Sequence, residues 1–197
     1  YGCFLSGDEY FDSYVQIMGE KSETILTFAA IIGFTGSIFE VIGIYMFYYT
    51  LKIKQTLIAK VGYFCLALMS LFGGIFHLLY AFIGFYSNSY VSEVTNSLFN
   101  DLNTLMIPIK YVMLFSGTIG SIIFIFYILI NKSRFPKWII FIFPTILSLF
   151  HPLTKYLGAP LGGIIAAGYI NLLFILFFTV SVILFSNSNR YVRKSYK

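Results

Sequence analysis

The chain has 197 residues, of which 58% are hydrophobic and 11% are charged, and its mean hydropathy is +0.84. A soluble domain carries about 25% charged residues, so this composition excludes an ordinary soluble protein and favours a polytopic membrane protein. The formal net charge is +5, but the basic residues lie in short loops and a tail. Anionic membrane lipids are therefore better expected partners than nucleic acid. The abundance of Phe, Tyr, Ile, Lys and Asn is typical of an AT-rich, bacterial coding sequence.

Residues 1–24 form an acidic segment that carries five acidic residues and one basic residue, Lys21. We expect this segment to lie outside the cytoplasm. Its opening, YGCFLSG, is compatible with the last turn of a transmembrane helix that would precede it. Residues 25–186 are predicted to form one transmembrane helical domain, and residues 187–197 a basic cytoplasmic tail.

Five apolar stretches are long enough to cross a bilayer as helices, which takes about 20 residues each. They are Ile25–Leu51, Thr56–Tyr86, Thr104–Ile130, Trp138–Tyr156 and Leu161–Phe185. Pro108 lies in the opening turns of the third, where a missing amide hydrogen is tolerated. Pro144 and Pro152 are expected to kink or end the fourth. The predicted fold class is all-α, a transmembrane helical bundle with five visible spans, or six if another span precedes them.

The distribution of Lys and Arg predicts the orientation of these spans. Two short loops, after the first and third spans, and the tail together hold ten basic residues and no acidic residue. The opposite ends of the spans, which include a polar loop predicted over residues 87–103, hold seven of the eight acidic residues. We therefore expect a multi-pass protein of the cell membrane, with its N-terminus outside and its C-terminus in the cytoplasm.

Glu40 is the one charged residue within the first span, and it shares a helical face with Gly33, Gly36 and Gly43. At about 100° per residue, these four positions fall within ~80° of one another. A carboxylate on a glycine-lined face is expected to point toward other helices and not toward lipid. Two interpretations of Glu40 stay open: a neutral acid hydrogen-bonded to a neighbouring helix, and a group that binds a ligand or takes part in catalysis.

Polar residues on the small-residue faces of the other spans complete the candidate site. His77 lies in span two, Lys110 and His151 lie toward the outer ends of spans three and four, and Asn171 lies near the middle of span five. We predict an outward-facing polar pocket in which these four residues and the deeper Glu40 bind a ligand. Simpler alternatives are a Lys110 that extends to the surface, a His151 that marks a helix end, and glycines that only pack helices.

The sequence gives little support for metal or covalent chemistry. Two histidines and one glutamate suit zinc by ligand type, but no local spacing joins them, so we predict no metal and no cofactor. Ser70 shares a face with His77, and Ser148 lies three residues before His151, yet neither pair is a specific nucleophile motif. Cys3 and Cys65 lie at depths that differ too much for a disulfide bond.

The string GGIFHLLYAF (Gly73–Phe82), together with the first span and its Gly and Glu residues, resembles small uncharacterised bacterial integral-membrane protein families. The resemblance implies the membrane class and brings no activity with it.

Three functions are compatible with these patterns. The leading hypothesis is binding or transport of a lipid-like or small amphipathic molecule, with Glu40 and His77 as polar anchors. The second is an intramembrane enzyme that modifies a lipid or isoprenoid, with His77 and Glu40 as an acid–base pair. That pair must reach one substrate position, so a separation in depth above ~10 Å would argue against it. The third is a non-catalytic subunit of a membrane complex, or a homo-oligomer, packed through glycine-lined faces.

Overall fold

The computed structural model describes residues 20–51, 56–89, 93–156 and 161–194, and these residues are mostly helical. In chain order the elements are α1 (Glu23–Tyr49), α2 (Leu57–Ser89), α3 (Glu93–Leu129), a first 3-10 helix (Lys137–Ile142), α4 (Pro144–Ser148), a second 3-10 helix (His151–Tyr156) and α5 (Leu161–Lys194). Within the described ranges, β-structure is limited to one isolated bridge between Leu51 and Ser133. The expected all-α architecture is confirmed.

Within the described residues, four helices are long and apolar enough to cross a membrane. The candidate spans are Glu23–Tyr49, Leu57–Tyr86, Thr104–Leu129 and Tyr169–Ser186. They match the first, second and third predicted spans to within a few residues, and the last lies within α5, which begins at Leu161, where the fifth predicted span begins. Large apolar side chains such as Ile32 and Phe39 are two-thirds exposed, as expected for helices whose surroundings are lipid. The described structure is thus all-helical, with four candidate membrane-spanning helices.

The fourth predicted span does not form one continuous helix. Residues 137–156 divide into the first 3-10 helix, α4 and the second 3-10 helix. The first break is at Phe143, which has φ −64° and ψ 131°. A residue before proline avoids the α conformation because the proline ring would clash with it, and Pro144 follows as the first residue of α4. Pro144 therefore interrupts the stretch, as expected, but the result is a series of short helices and not a single kinked one.

The polar stretch between the second and third predicted spans is also more helical than expected. The helix α2 continues to Ser89 and α3 begins at Glu93, although residues 87–103 are polar and were expected to form a loop. Because α3 begins so early, Pro108 lies inside it. The expectation that Pro108 occupies an opening turn is wrong, and its ring removes one backbone hydrogen bond from the helix interior.

The chain divides into two compact units. The first unit contains the described residues up to Val41 together with Leu66–Gly117, and the second contains Ile42–Cys65 together with the described residues from Thr118 onward. The three helices α1, α2 and α3 each contribute to both units. In sequence, every acidic residue falls within the limits of the first unit, and every basic residue except Lys21 and Lys110 falls within those of the second.

The core of the first unit has two clusters. In the larger, Phe76 and Ile83 of α2 pack with Met106 and Met113 of α3. In the smaller, Leu26 and Ala30 of α1 pack with Ala81 of α2, and Phe85 lies against them. These contacts fix α1 and α3 to α2.

The core of the second unit is aromatic and is centred on Phe47 of α1, which is 3% exposed. Its ring stacks on Phe135 with centroids 4.9 Å apart and on Phe124 with centroids 5.3 Å apart. It also contacts the rings of Phe143 and Phe177. One aromatic side chain therefore joins α1 to α3, to α5 and to the segment that follows α3.

Candidate functional site

In the first unit, α1 and α2 approach closely because each offers a glycine to the other. A Cβ atom at Gly33 would lie 2.6 Å from the Cβ atom of His77 and closer still to its ring. A Cβ atom at Gly74 would lie 2.9 Å from the Cβ atom of Ser37. A side chain at either position would overlap its neighbour, so only glycine fits this helix pair without a shift.

The contacts between α1 and α2 follow one antiparallel register. Positions 33, 37 and 40 of α1 meet positions 77, 74 and 70 of α2, respectively. Steps of three and four residues keep such positions on one face of each helix. We call this surface the polar seam, and its members are Gly33, Ser37, Glu40, Ser70, Gly74 and His77.

Glu40 and Ser70 form the most unusual part of the polar seam. Glu40 is half-buried and its carboxyl group faces the Ser70 hydroxyl. Ser70 is only 3% exposed, and its Oγ atom interacts with the Glu40 carboxyl group without reaching full hydrogen-bond geometry with it or with any other described residue. A buried polar group without a hydrogen bond costs about 1–3 kcal/mol. The Ser70 hydroxyl therefore has unused hydrogen-bonding capacity beside the Glu40 carboxyl group.

The other hydroxyl of the polar seam is satisfied within its own helix. Ser37 Oγ donates a hydrogen bond of 2.7 Å to the carbonyl oxygen of Phe34. Ser37 therefore acts in packing, and the hydroxyl of the seam with free hydrogen-bonding capacity is that of Ser70.

His77 lies at a different level of the seam from Glu40. It is half-buried and packs against Gly33, seven residues along α1 from Glu40. At a rise of 1.5 Å per residue, the two levels are about 10 Å apart. The carboxyl and the imidazole lie on the same seam at levels about 10 Å apart. This spacing argues against their use as an acid–base pair.

The other three predicted site residues lie on other elements. Lys110 is half-buried on α3, in the same unit as Glu40 and His77. His151 and Asn171 belong to the second unit. His151 is 9% exposed and its ring meets that of Tyr169 edge-on, with centroids 5.2 Å apart, whereas Asn171 is exposed. Their assignment to a ligand site stays a prediction.

A group of hydrogen bonds around α4 was not anticipated from the sequence. The hydroxyl groups of Ser121 on α3 and Thr145 on α4 are hydrogen-bonded to each other. The Tyr169 hydroxyl of α5 donates a hydrogen bond of 2.9 Å to the carbonyl oxygen of Leu147. These bonds hold α4 to α3 and α5 within the second unit. Among the described residues, no three His, Cys, Asp or Glu side chains come together in a way that could hold a metal ion.

A family model matches residues 4–188, which is nearly the whole chain. The chain belongs to a family of unknown function (DUF6796). The match agrees with the uncharacterised family expected from the Gly73–Phe82 string, and it brings no activity with it. No curated protein and no solved structure matches the chain. The polar seam is therefore the feature from which a function can be inferred.

Proposed function

We propose that this multi-pass membrane protein binds or transports a lipid-like or small amphipathic molecule at the polar seam. The observation that carries the proposal is the Ser70 hydroxyl, which is buried without a hydrogen bond beside the half-buried Glu40. Ionisable groups inside membrane-spanning helices are costly and usually mark functional sites. A polar headgroup placed beside Glu40 and Ser70 would give both a hydrogen-bond partner, and its apolar part would remain among apolar side chains.

The length of the polar seam favours an elongated ligand. Glu40 and His77 are about 10 Å apart along the helices, so one molecule would meet them with separate groups. The carboxyl group supplies acceptors, and the imidazole can donate or accept a hydrogen bond. This division supports ligand binding more than the alternative of an acid–base enzyme, which requires both groups at one reacting position.

The broken segment fits a fifth crossing of the membrane by its length. Twelve 3-10 residues and five α-helical residues would extend roughly 30 Å if they were collinear, close to the hydrocarbon thickness of a bilayer. Irregular backbone is tolerated at that depth where protein covers it, and Ile139 and Phe143 are 0% and 3% exposed. The proposed orientation keeps the N-terminus outside and the C-terminus in the cytoplasm. A green fluorescent protein fused after Lys197 should then fluoresce, because it would fold in the cytoplasm. A fusion that does not fluoresce would indicate the opposite orientation.

A partner helix at the glycine-lined face of α1 is a second candidate role, favoured by Gly36. A Cβ atom at this position would meet nothing within 4 Å, so the backbone there is open to a close neighbour. If α1 pairs with a second copy of the chain, Gly36→Cys should form a disulfide-linked dimer in native membranes under mild oxidation. Phe39→Cys, at an exposed position of the same helix, is the control and should stay monomeric. If Gly36→Cys also stays monomeric, α1 does not pair in this way.

Binding to the purified protein tests the main proposal. The probes are oleate, lysophosphatidylethanolamine and lysophosphatidylglycerol, measured by thermal shift and by native mass spectrometry. We expect Glu40→Gln and Ser70→Ala each to weaken binding of at least one probe by about tenfold, because a hydrogen bond to a charged group contributes about 1.5–3 kcal/mol. His77→Ala should weaken binding of the same probe.

The matched control is Glu23→Gln, which makes the same chemical change at an exposed residue in the first turn of α1. This variant should bind like the wild type. If Glu40→Gln, Ser70→Ala and His77→Ala all keep wild-type affinity for every probe that binds, the polar seam is not the ligand site.

A further inference from the structure

The segment that follows α3 presents three exposed basic side chains. Lys132, Arg134 and Lys137 are all exposed, and we call residues 131–137 the basic turn. No acidic residue occurs in the sequence after Asp101, and none occurs in Ile42–Cys65, so the second unit supplies no carboxylate to neutralise the turn. The compensating negative charge must come from outside this unit.

The backbone of the basic turn begins with a defined helix end. Asn131 has φ 58° and is the one non-glycine residue with positive φ in the described ranges. Its N–H donates to the carbonyl oxygen of Ile128 at 3.1 Å, and the N–H of Lys132 donates to that of Tyr127 at 2.9 Å. These two bonds around a left-handed residue form a Schellman motif, which sets the direction in which the chain leaves the helix.

The middle of the basic turn is attached to α1 and to the residues that follow it. Ser133 forms the antiparallel bridge with Leu51. The Ser133 Oγ atom also accepts a hydrogen bond of 3.1 Å from the N–H of Phe135. The buried ring of Phe135 in turn stacks on Phe47, with an interplanar angle of 10°. The turn is therefore fixed by backbone and side-chain contacts on both sides of Arg134.

Arg134 itself is positioned by an aromatic ring. Its guanidinium carbon lies 5.8 Å from the centroid of the Phe185 ring of α5, within the range of a cation–π interaction. Basic residues set the orientation of a membrane protein through how many of them lie on the cytoplasmic side of the membrane, and this effect requires no fixed side-chain geometry. A Schellman motif, a bridge, a stacked ring and an oriented guanidinium give this turn more order than that role requires.

We propose that the basic turn is a binding site for the phosphate headgroup of an anionic glycerophospholipid. Arg134 offers a planar fork of donors that suits phosphate oxygens, and Lys132 and Lys137 offer compact positive charges. Trp138 and Phe141, which follow directly, are 47% and 68% exposed. An exposed Trp beside basic residues suits the headgroup level of a bilayer, and the neighbouring Phe suits its acyl chains. The site involves no residue of the polar seam, so it stands apart from the function proposed above.

Native mass spectrometry of the full chain, with phosphatidylglycerol and phosphatidylcholine as probes, tests the site. Each lost positive charge should weaken phosphatidylglycerol binding by about fivefold, so we expect at least this loss for Arg134→Gln and for Lys132→Gln. Lys60→Gln is the matched control, because Lys60 is exposed and lies in the same unit but outside the turn. Lys60→Gln should lower the affinity for phosphatidylglycerol less than about twofold, whereas each charge-removing substitution in the basic turn should lower it about fivefold. Phosphatidylcholine binding should not change in any variant.

A second pair of variants keeps every charge and alters only the backbone. Asn131→Gly accommodates a positive φ and should bind phosphatidylglycerol like the wild type. Asn131→Val disfavours this conformation and should weaken binding by about as much as the loss of one charge. Far-ultraviolet circular dichroism and thermal unfolding show whether each variant is folded. If Asn131→Val does not fold, the comparison of phosphatidylglycerol binding by Arg134→Gln and by Lys60→Gln is the test of the site.

Two outcomes would overturn the proposal. If Lys60→Gln weakens phosphatidylglycerol binding as much as Arg134→Gln does, the attraction is diffuse and the turn is not a site. If inorganic phosphate at the same concentration displaces phosphatidylglycerol completely, the turn recognises free phosphate and not a lipid.

Discussion

Replacing Gly33 by alanine is the most direct test of how α1 and α2 pack. The new Cβ atom would lie 2.6 Å from the Cβ atom of His77, which is too close to the backbone of α2 for a rotamer change alone to relieve. Either the imidazole leaves the polar seam or the two helices separate. Gly36→Ala is the matched control, because a Cβ atom there meets nothing within 4 Å. Both variants make the same chemical change in the same helix.

The expected magnitude follows from two opposing terms. Adding a methyl group to a packed interface costs about 1–3 kcal/mol, and replacing glycine by alanine inside a helix returns about 1 kcal/mol. The second term is common to Gly33→Ala and Gly36→Ala, so the free energies of unfolding of the two variants should differ by about 1–3 kcal/mol. For a chain of this length, 1 kcal/mol moves the Tm by about 2–4 °C. We therefore expect Gly33→Ala to melt about 2–12 °C below Gly36→Ala.

Thermal unfolding in a neutral detergent, followed by tryptophan fluorescence and circular dichroism, measures the difference. Combining Gly33→Ala with His77→Gly should recover the stability lost to this overlap, because the second change removes both the ring and the Cβ atom that the new methyl group meets. The interaction energy from this double-mutant cycle should be favourable by about 1–3 kcal/mol. Equal Tm values for the two glycine variants, or a double variant that is no better than the sum of its parts, would refute the register of the polar seam.

Two further predictions use matched pairs in the same assay. Gly74→Ala should lower the Tm because its Cβ atom would lie 2.9 Å from that of Ser37, whereas Gly73→Ala, with no atom nearer than 3.9 Å, should be neutral or stabilising; the reverse order would contradict the helix faces described above. Phe47→Ala should cost about 3–5 kcal/mol of unfolding free energy because it empties a buried aromatic cluster, and Phe39→Ala, at a side chain that is 66% exposed, should cost far less. Comparable losses would mean that Phe47 does not centre the core.

The positions of the long helices could be predicted from the sequence because a membrane-spanning helix needs an uninterrupted apolar run. At residues 137–156 such an apolar run predicted a single helix, and that prediction is wrong. Apolar composition indicates contact with lipid or protein, but it does not specify that the backbone is continuous. Pro144 was recognised as a possible interruption, yet the division into two 3-10 helices and a five-residue α-helix depends on packing. The rings of Phe135 and Phe143, which flank the first 3-10 helix, are buried against other aromatic rings.

Between spans two and three, the structure is more helical than the sequence predicts. Its polar and acidic composition predicted a loop over 87–103, but a polar composition indicates exposure to water and not the absence of a helix. The continuation of α2 to Ser89 and the early start of α3 at Glu93 show helices that extend well beyond their apolar windows. Because α3 begins at Glu93, Pro108 lies in its interior. The apolar run alone predicts a helix that begins near Thr104, with Pro108 in its first turns.

For the candidate site, sequence reasoning found the faces but not the partners. Glu40 and His77 were identified because an ionisable residue on a small-residue face has few alternatives to a neighbouring helix. The sequence places Ser70 on the same face as His77, whereas the structure shows that its hydroxyl group faces Glu40. Serine is common in membrane helices, so composition could not select it. The assignment needed the register between α1 and α2, which spacing along one helix does not contain.

That register links the packing of the seam to its chemistry. Two glycines, one on each helix, accept a larger side chain from the opposite helix, so sliding α1 by one turn would place a side chain where only a glycine fits. The register that satisfies both glycines is the one that brings Glu40 to Ser70. The small residues that look like packing elements alone therefore decide which hydroxyl faces the carboxyl, and a ligand held between these two groups would stabilise the same register.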